Sequence, residues 1–313
     1  MIYTVTLNPA LDRTVYVEKL IKYESIRVIR EEHYAGGKGI DVSRVIKKLG
    51  GQSIALGFLG GYAGMEMEGR LLNEGIACNF VWTKSETRVN VIIHSLEDGG
   101  EYRLNFRGPE IRPQEVAELM QKCRSLKPKP SFVVISGSVP EGVDPIIYEQ
   151  LIITFESQGA KVILDTYGEP LKKGLLATPF MVKPNLVELS EFCGKKLSSI
   201  KEIMEAAKEL LKFVDVVTVS MGSDGLIGVT KEDSYHAIPP RVEAKSTVGA
   251  GDSAVAAMVL ALERGMPFEE VIRRGAAAGT ASTLTDGTAT IDINDFNNIL
   301  ANTVVKKISD MGE

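Results

Sequence analysis

Gly249-Ala250-Gly251-Asp252 stands immediately before Ser253 to Glu263, a stretch that patterns as a helix. Glycines let a backbone come close to a ligand, and a helix N-terminus offers unpaired N–H groups and the positive end of a dipole. Together they can hold a phosphoryl group and stabilise the charge that develops on it during transfer. Asp252 at this point can take the proton from an attacking hydroxyl, although an aspartate before a helix can also serve only as its N-cap.

Asn185-Leu-Val-Glu188 is a second candidate. On the first turn of a helix, residues three apart share a face, where an amide and a carboxylate can hold hydrated Mg²⁺ against nucleotide phosphates. The same pair also reads as a capping box. Ser220-Met-Gly222-Ser-Asp-Gly225, at a strand end, reads either as a nucleotide-binding turn or as a tight loop. Gly36-Gly37-Lys38-Gly39 precedes an amphipathic stretch, Ile40 to Leu49, but neither G-x-x-x-x-G-K-[ST] nor G-x-G-x-x-G is present. Its glycines suggest close approach of a small ligand. Arg27, Arg88 and Arg103 are strand arginines, and a guanidinium fork matches a phosphate. His33, His94 and His236 lack metal-ligand spacing.

These residues must be positioned by a scaffold. Short apolar runs such as Phe132-Val-Val-Ile-Ser136, Lys161-Val-Ile-Leu164, Phe180-Met-Val182 and Asp215 to Ser220 alternate with helical stretches. That pattern predicts an α/β fold whose parallel sheet is covered by helices on both faces. Ligands of such sheets sit beyond the carboxyl ends of the strands, where the polar residues above fall. Two segments differ. Arg13 to Val17 and Ile26 to Ile29, then Thr87 to His94 and Glu101 to Phe106 around Asp98-Gly-Gly100, read as strands without intervening helices. They predict a small antiparallel β lid, residues 12–34 and 86–107, on a core of residues 1–11, 35–85 and 108–313.

Composition agrees with a soluble protein. The 313 residues are 44% hydrophobic, enough for a sizeable core, and the net charge of −5 argues against nucleic acid. Cys78, Cys123 and Cys193 are far apart and suggest neither zinc nor a disulfide framework. No signal peptide and no membrane span is read, so a cytoplasmic location is expected.

Together the motifs resemble the ribokinase-like PfkB family of sugar kinases, over nearly the whole chain. The most specific are Val5-Thr-Leu-Asn-Pro-Ala-Leu-Asp12, Gly36 to Gly39, Ser136-Gly-Ser-Val-Pro140, Lys183-Pro-Asn-Leu-Val-Glu188 and Ser246 to Ser253. By this resemblance Asp252 is the base and Gly249, Ala250 and Gly251 the anion hole. Lys183, Asn185, Glu188, Ser220, Gly222 and Gly225 bind ATP and Mg²⁺. Asp12, Gly37, Lys38, Gly39, Asp41 and Ser138 meet the sugar, and Arg27, Arg88 and Arg103 its phosphate. Ser246, Val248 and Gly287 match a region that binds K⁺ in some members. A homodimer is also implied.

Asp41 is a departure, because the family usually has Asn there, and an ionised Asp can only accept hydrogen bonds. The resemblance points to the phosphofructokinase and tagatose-6-phosphate kinase branch, with fructose 6-phosphate or fructose 1-phosphate as substrate. A non-catalytic sugar-phosphate sensor on the same scaffold is the reading from another class.

Overall fold

A computed structural model describes residues 1–285 and 290–308. The apolar runs build one large sheet, eleven-stranded among the described residues. Its parallel part runs Ala77–Cys78, Ser53–Gly60, Ile2–Thr6, Phe132–Ser136, Lys161–Asp165, Met181–Val182, Val216–Ser220, with Val81–Thr83 also paired to Ser53–Gly60. Leu226–Val229, Ser234–Ile238 and Val304–Lys307 continue it in antiparallel register. The alternating helices account for the parallel part, because parallel neighbours need a crossover.

Both faces are covered. Val42, Val45 and Ile46 of helix Lys38–Lys48 join Ala254 to Ala261 of helix Ala250–Glu263 and Val271 to Ala281 of helix Phe268–Ser282 on one side. Leu119, Leu151, Ile203 and Leu210 of helices Pro113–Arg124, Ile147–Glu156 and Ile200–Leu210 close the other. Every residue of Ile2–Thr6 is buried, as a central strand between two helix layers demands.

The two segments without helices meet in a second sheet, ordered Val28–Gly36, Ala10–Val17, Arg88–Ser95, Gly100–Leu104. Each segment contributes an antiparallel pair, and the two pairs join in parallel register from Ala10↔Arg88 to Val17↔Ser95. Leu11 and Ala35 anchor this sheet to Met67 and Leu71 of helix Gly61–Asn73. Arg27 lies just ahead of its first strand rather than on it, and is exposed.

Candidate active site

The helix behind Gly249 starts at Ala250, three residues earlier than the apolar pattern indicates. Gly249 itself is the N-cap, with φ 79°, a left-handed conformation that suits glycine. Asp252 therefore lies inside the first turn and does not cap the helix. No side-chain hydrogen bond closes this end, and Ala250 N donates to Thr247 O at 3.4 Å within the preceding loop. Asp252 is 7% exposed and its Oδ1 has no hydrogen-bond partner. An unpartnered buried carboxylate oxygen beside a helix N-terminus is costly to the fold, which points to a ligand-related role.

Three further elements bring charge to this point. Lys38 opens helix Lys38–Lys48, directly after Gly37, whose φ of 134° and whose closeness to Thr6 (2.8 Å from an added Cβ to Thr6 Cγ2) exclude other residues. Lys183 follows strand Met181–Val182 and is 4% exposed. Between them stands Asp165, the last residue of Lys161–Asp165 and 1% exposed. Lys38 Nζ donates to Asp165 Oδ2 at 3.1 Å, and Lys183 Nζ pairs with Asp165 Oδ1 at 3.3 Å. Asp165 carries no motif of its own, so sequence reasoning passed over it. The signal was faint: a carboxylate ending an apolar strand run.

The electrostatics follow from this packing. Burial pushes the Asp252 carboxyl up to about 6; Lys38 and Lys183 pull against that, and the neighbouring Asp165 adds to it. Burial also works against the Lys38 ammonium, yet Asp165, Asp252 and Glu188 outweigh it and raise its affinity for a proton. Asp165 is the reverse case. Burial opposes its ionisation, but Lys183 and Lys38 hold it below the usual carboxylate range.

Asn185 is the N-cap of helix Leu186–Cys193 and forms a full capping box. Glu188 N donates to Asn185 Oδ1 and Asn185 N to Glu188 Oε2, both at 2.8 Å. Each side chain thus spends one oxygen on the helix, and the second Glu188 oxygen is left for the cleft both residues line. That fits a metal held by one carboxylate together with water and phosphate oxygens. Ser220 ends its strand and bridges to Asn185. Gly222 and Gly225 take φ of 61° and 92°; at Gly225 an added Cβ would lie 2.0 Å from Ala237 O, so the turn packs tightly there.

One cleft of about 490 Å³ is lined by Lys38, Lys183, Asn185, Glu188, Ser220, Gly222, Gly225 and Gly249 to Asp252. Pro239, Pro240, Val242 and Ala276 supply an apolar wall that no sequence motif announced. Ser246 and Val248 lie in the loop leading to Gly249, where Val248 N donates to Ser246 Oγ at 3.3 Å. Gly287 lies outside the described residues.

A second polar group stands where the small sheet meets the core. Asn90 Nδ2 donates to Asp12 Oδ1 at 2.8 Å, and Asn8 Nδ2 donates to Ser138 Oγ at 3.2 Å. Gly36 touches Asp12, and Gly39 packs on Thr6 and Val5, so neither accepts a Cβ. Asp41 is 4% exposed, and Arg44 Nη1 donates to its Oδ1 at 2.7 Å. Arg44 also donates to Glu74 Oε2 at 2.6 Å and to Ala35 O at 2.7 Å. Burial pushes the Asp41 carboxyl up and Arg44 counters it. Asp252 and Asp12 add to the rise, so the carboxyl is held well above its ordinary range with Arg44, one turn on, as its partner.

Arg88 and Arg103 each hold partners within the protein. Arg88 donates to Asn8 O and Phe106 O at 2.8 Å and to Pro9 O at 3.4 Å. Arg103 is exposed and paired with Glu101 at 2.5 Å. Register nevertheless puts both on one face, since Arg103 is opposite Ile92 and Ile92 shares a face with Arg88.

A glycine-capped helix end beside a buried carboxylate is an arrangement suited to phosphoryl transfer to a hydroxyl, and with the fold it defines a kinase of small alcohols. Residues 5–294 match the pfkB family of carbohydrate kinases, and the chain belongs to that family. It is 38% identical to the 1-phosphofructokinase of Borreliella burgdorferi, across 91% of this chain and 92% of that one. It is 34% identical to the D-tagatose-1-phosphate kinase of Bacillus licheniformis, across 92% and 94%. The solved structure of Escherichia coli phosphofructokinase-2 in complex with potassium superposes with a TM-score of 0.90 at 35% identity, covering 96% and 98%. Membership in the family implies ATP and a divalent metal ion. Among the described residues no helix is long and apolar enough to cross a membrane.

Proposed function

We propose that this protein transfers the γ-phosphoryl group of MgATP to the free primary hydroxyl of a ketohexose monophosphate. Fructose 6-phosphate and fructose 1-phosphate, which both give fructose 1,6-bisphosphate, are the leading substrates. The observation that carries this reading is the unpartnered, buried Asp252 oxygen at the glycine-capped helix end, flanked by two lysines. Fructofuranose carries a hydroxymethyl group at each end, so a site that clamps a phosphate at one end presents a hydroxyl at the other.

Asp12 accepts hydrogens from sugar hydroxyls with the carboxylate oxygen that Asn90 leaves free, helped by Asp41, Ser138 and the Gly37 to Gly39 backbone. Arg88 and Arg103, with Arg27, grip the phosphate, and the small sheet formed by segments 12–34 and 86–107 acts as the lid. Asp252 Oδ1 takes the proton of the attacking hydroxyl. Gly249, Ala250 and Gly251 form the anion hole at the helix end that would receive the transferring phosphoryl group. Ser220, Gly222 and Gly225 shape the nucleotide turn. Asn185 and Glu188 would hold Mg²⁺, which when bound offsets the charge of the nucleotide phosphates. The loop of Ser246 and Val248 is the candidate K⁺ position. Exposed Val28, Ile29, Tyr102 and Leu104 on the small sheet favour a homodimer through that sheet, and a cytoplasmic setting suits the substrate.

Asp252 must be ionised to act, and its carboxyl sits near 6. Activity is therefore expected to fall as pH drops through about 6, with a single-proton slope in log kcat/KM. A flat profile down to pH 5 would remove Asp252 as the base.

A second reading, a tagatose phosphate, is favoured by the likeness to D-tagatose-1-phosphate kinase. A coupled ADP-release assay with fructose 6-phosphate, fructose 1-phosphate, tagatose 6-phosphate and tagatose 1-phosphate decides between them. Turnover only with unphosphorylated sugars or nucleosides would refute the phosphate clamp. Binding of a sugar phosphate without turnover would leave a sensor rather than an enzyme.

A further inference from the structure

We propose that Asp165 is a positioning residue for phosphoryl transfer, its two oxygens fixing the Lys38 and Lys183 ammonium groups at the space ahead of the Gly249 helix end. The inference rests on the kinase reading above and adds a role for a residue outside the sequence motifs.

The geometry is specific. Leu164 and Val182 are register partners on adjacent parallel strands, so Asp165 and Lys183 leave the sheet side by side. Lys38 arrives from a third element and takes the other oxygen. Two lysines this close would repel each other, and the carboxylate between them removes that repulsion. Lys183 Nζ lies against the anion-hole backbone, 3.2 Å from where a Cβ on Gly251 would stand. Both ammonium groups are thus in place before a phosphate arrives, and charges already oriented need no reorganisation during transfer.

The same carboxylate acts on the base. The charged groups that face Asp252 are Lys38 from helix Lys38–Lys48, Lys183 beyond Met181–Val182, Asp165 from Lys161–Asp165, and Asp41 across the sugar side. Asp165 raises the affinity of Asp252 for its proton, while the lysines lower it. A carboxylate that acted on Asp252 by charge alone would move the acid limb when altered but leave kcat on the pH plateau nearly unchanged, whereas a positioning residue lowers that plateau.

The test compares wild type with Asp165→Asn, Asp165→Glu, Lys38→Met and Lys183→Met, each checked for folding by circular dichroism. Wild type is first shown to turn over a sugar phosphate; absence of that turnover would overturn the kinase reading, and this proposal with it. Asp165→Asn is expected to lose kcat by about 100-fold, the scale of a misplacement of about 1 Å, with sugar-phosphate KM nearly unchanged. Its acid limb should move to lower pH. Asp165→Glu should recover part of kcat and keep the wild-type limb. Both lysine variants should lose kcat and move the limb to higher pH; they carry the test if Asp165→Asn does not fold. Active wild type with a wild-type kcat plateau in Asp165→Asn, or, where that variant does not fold, in both lysine variants, would overturn the proposal even if the limbs moved. So would a limb unmoved in Asp165→Asn with only a raised Mg²⁺ requirement, which would make Asp165 a metal-site residue.

Discussion

Asp252→Asn is expected to fold, to bind ATP and to turn over on the order of 10²–10⁴ more slowly than wild type, the usual cost of losing a positioned base. Folding should survive for a stated reason. Burial already disfavours the ionised carboxyl at this position, so replacing it with a neutral isostere removes a desolvation cost. Lys38 and Lys183 keep Asp165 as their partner, so no buried charge is left alone. Single-turnover kinetics with ATP in excess separate chemistry from binding. Near-wild-type turnover, with the acid limb near pH 6 retained, would assign the base to another group and reduce Asp252 to a structural residue.

Arg103→Ala is expected to raise KM for the phosphorylated sugar by about ten-fold or more, since a hydrogen bond to a charged group contributes roughly 1.5–3 kcal/mol. KM for ATP should stay put, because the nucleotide cleft is built by other elements. The side chain is exposed and bound only to Glu101 among the contacts described, so the thermal midpoint should barely change. Arg88→Ala should raise the same KM and also lower stability, because its guanidinium holds the carbonyls of Asn8, Pro9 and Phe106. If either variant weakened ATP and spared the sugar phosphate, the small sheet would not be the clamp.

The contrast between these two arginines shows where sequence reasoning was strong and where it stopped. The alternating apolar runs required a parallel sheet with helices on both faces, and the structure has one. Helix ends were less legible. The helix at Gly249 begins three residues before its apolar stretch, because an N-terminal turn facing a cleft has little to bury. That difference moved Asp252 from a capping position into the first turn. It turned an ambiguous Gly-Asp into a buried carboxylate with a free oxygen.

Asn185 and Glu188 form the capping box, one of the two roles their spacing allowed, and the metal role remains the proposal made above. Three-residue separation on a helix is the requirement for a capping box and for a shared face alike. Only coordinates could say that one oxygen from each is used in the cap. Arg27 shows the opposite case. A strand-like run does not say where pairing begins, and the bulge near Tyr16 and Val17 leaves Arg27 ahead of the first paired residue, Val28.

By itself, then, the chain order of glycines, acids and lysines pointed to a phosphoryl-transfer site, because close backbone approach and helix N-termini are local properties. The order of apolar runs specified the layers, because burial on two faces is written along each strand. What only the tertiary structure decided is which charges meet. Asp165 with Lys38 and Lys183, and Arg44 with Asp41 and Glu74, join residues up to 127 positions apart. Nothing in a strand's own sequence marks the carboxylate at its end as a partner for two distant lysines. That pairing exists because parallel register aligns the strand ends and the sheet brings Lys38 over them.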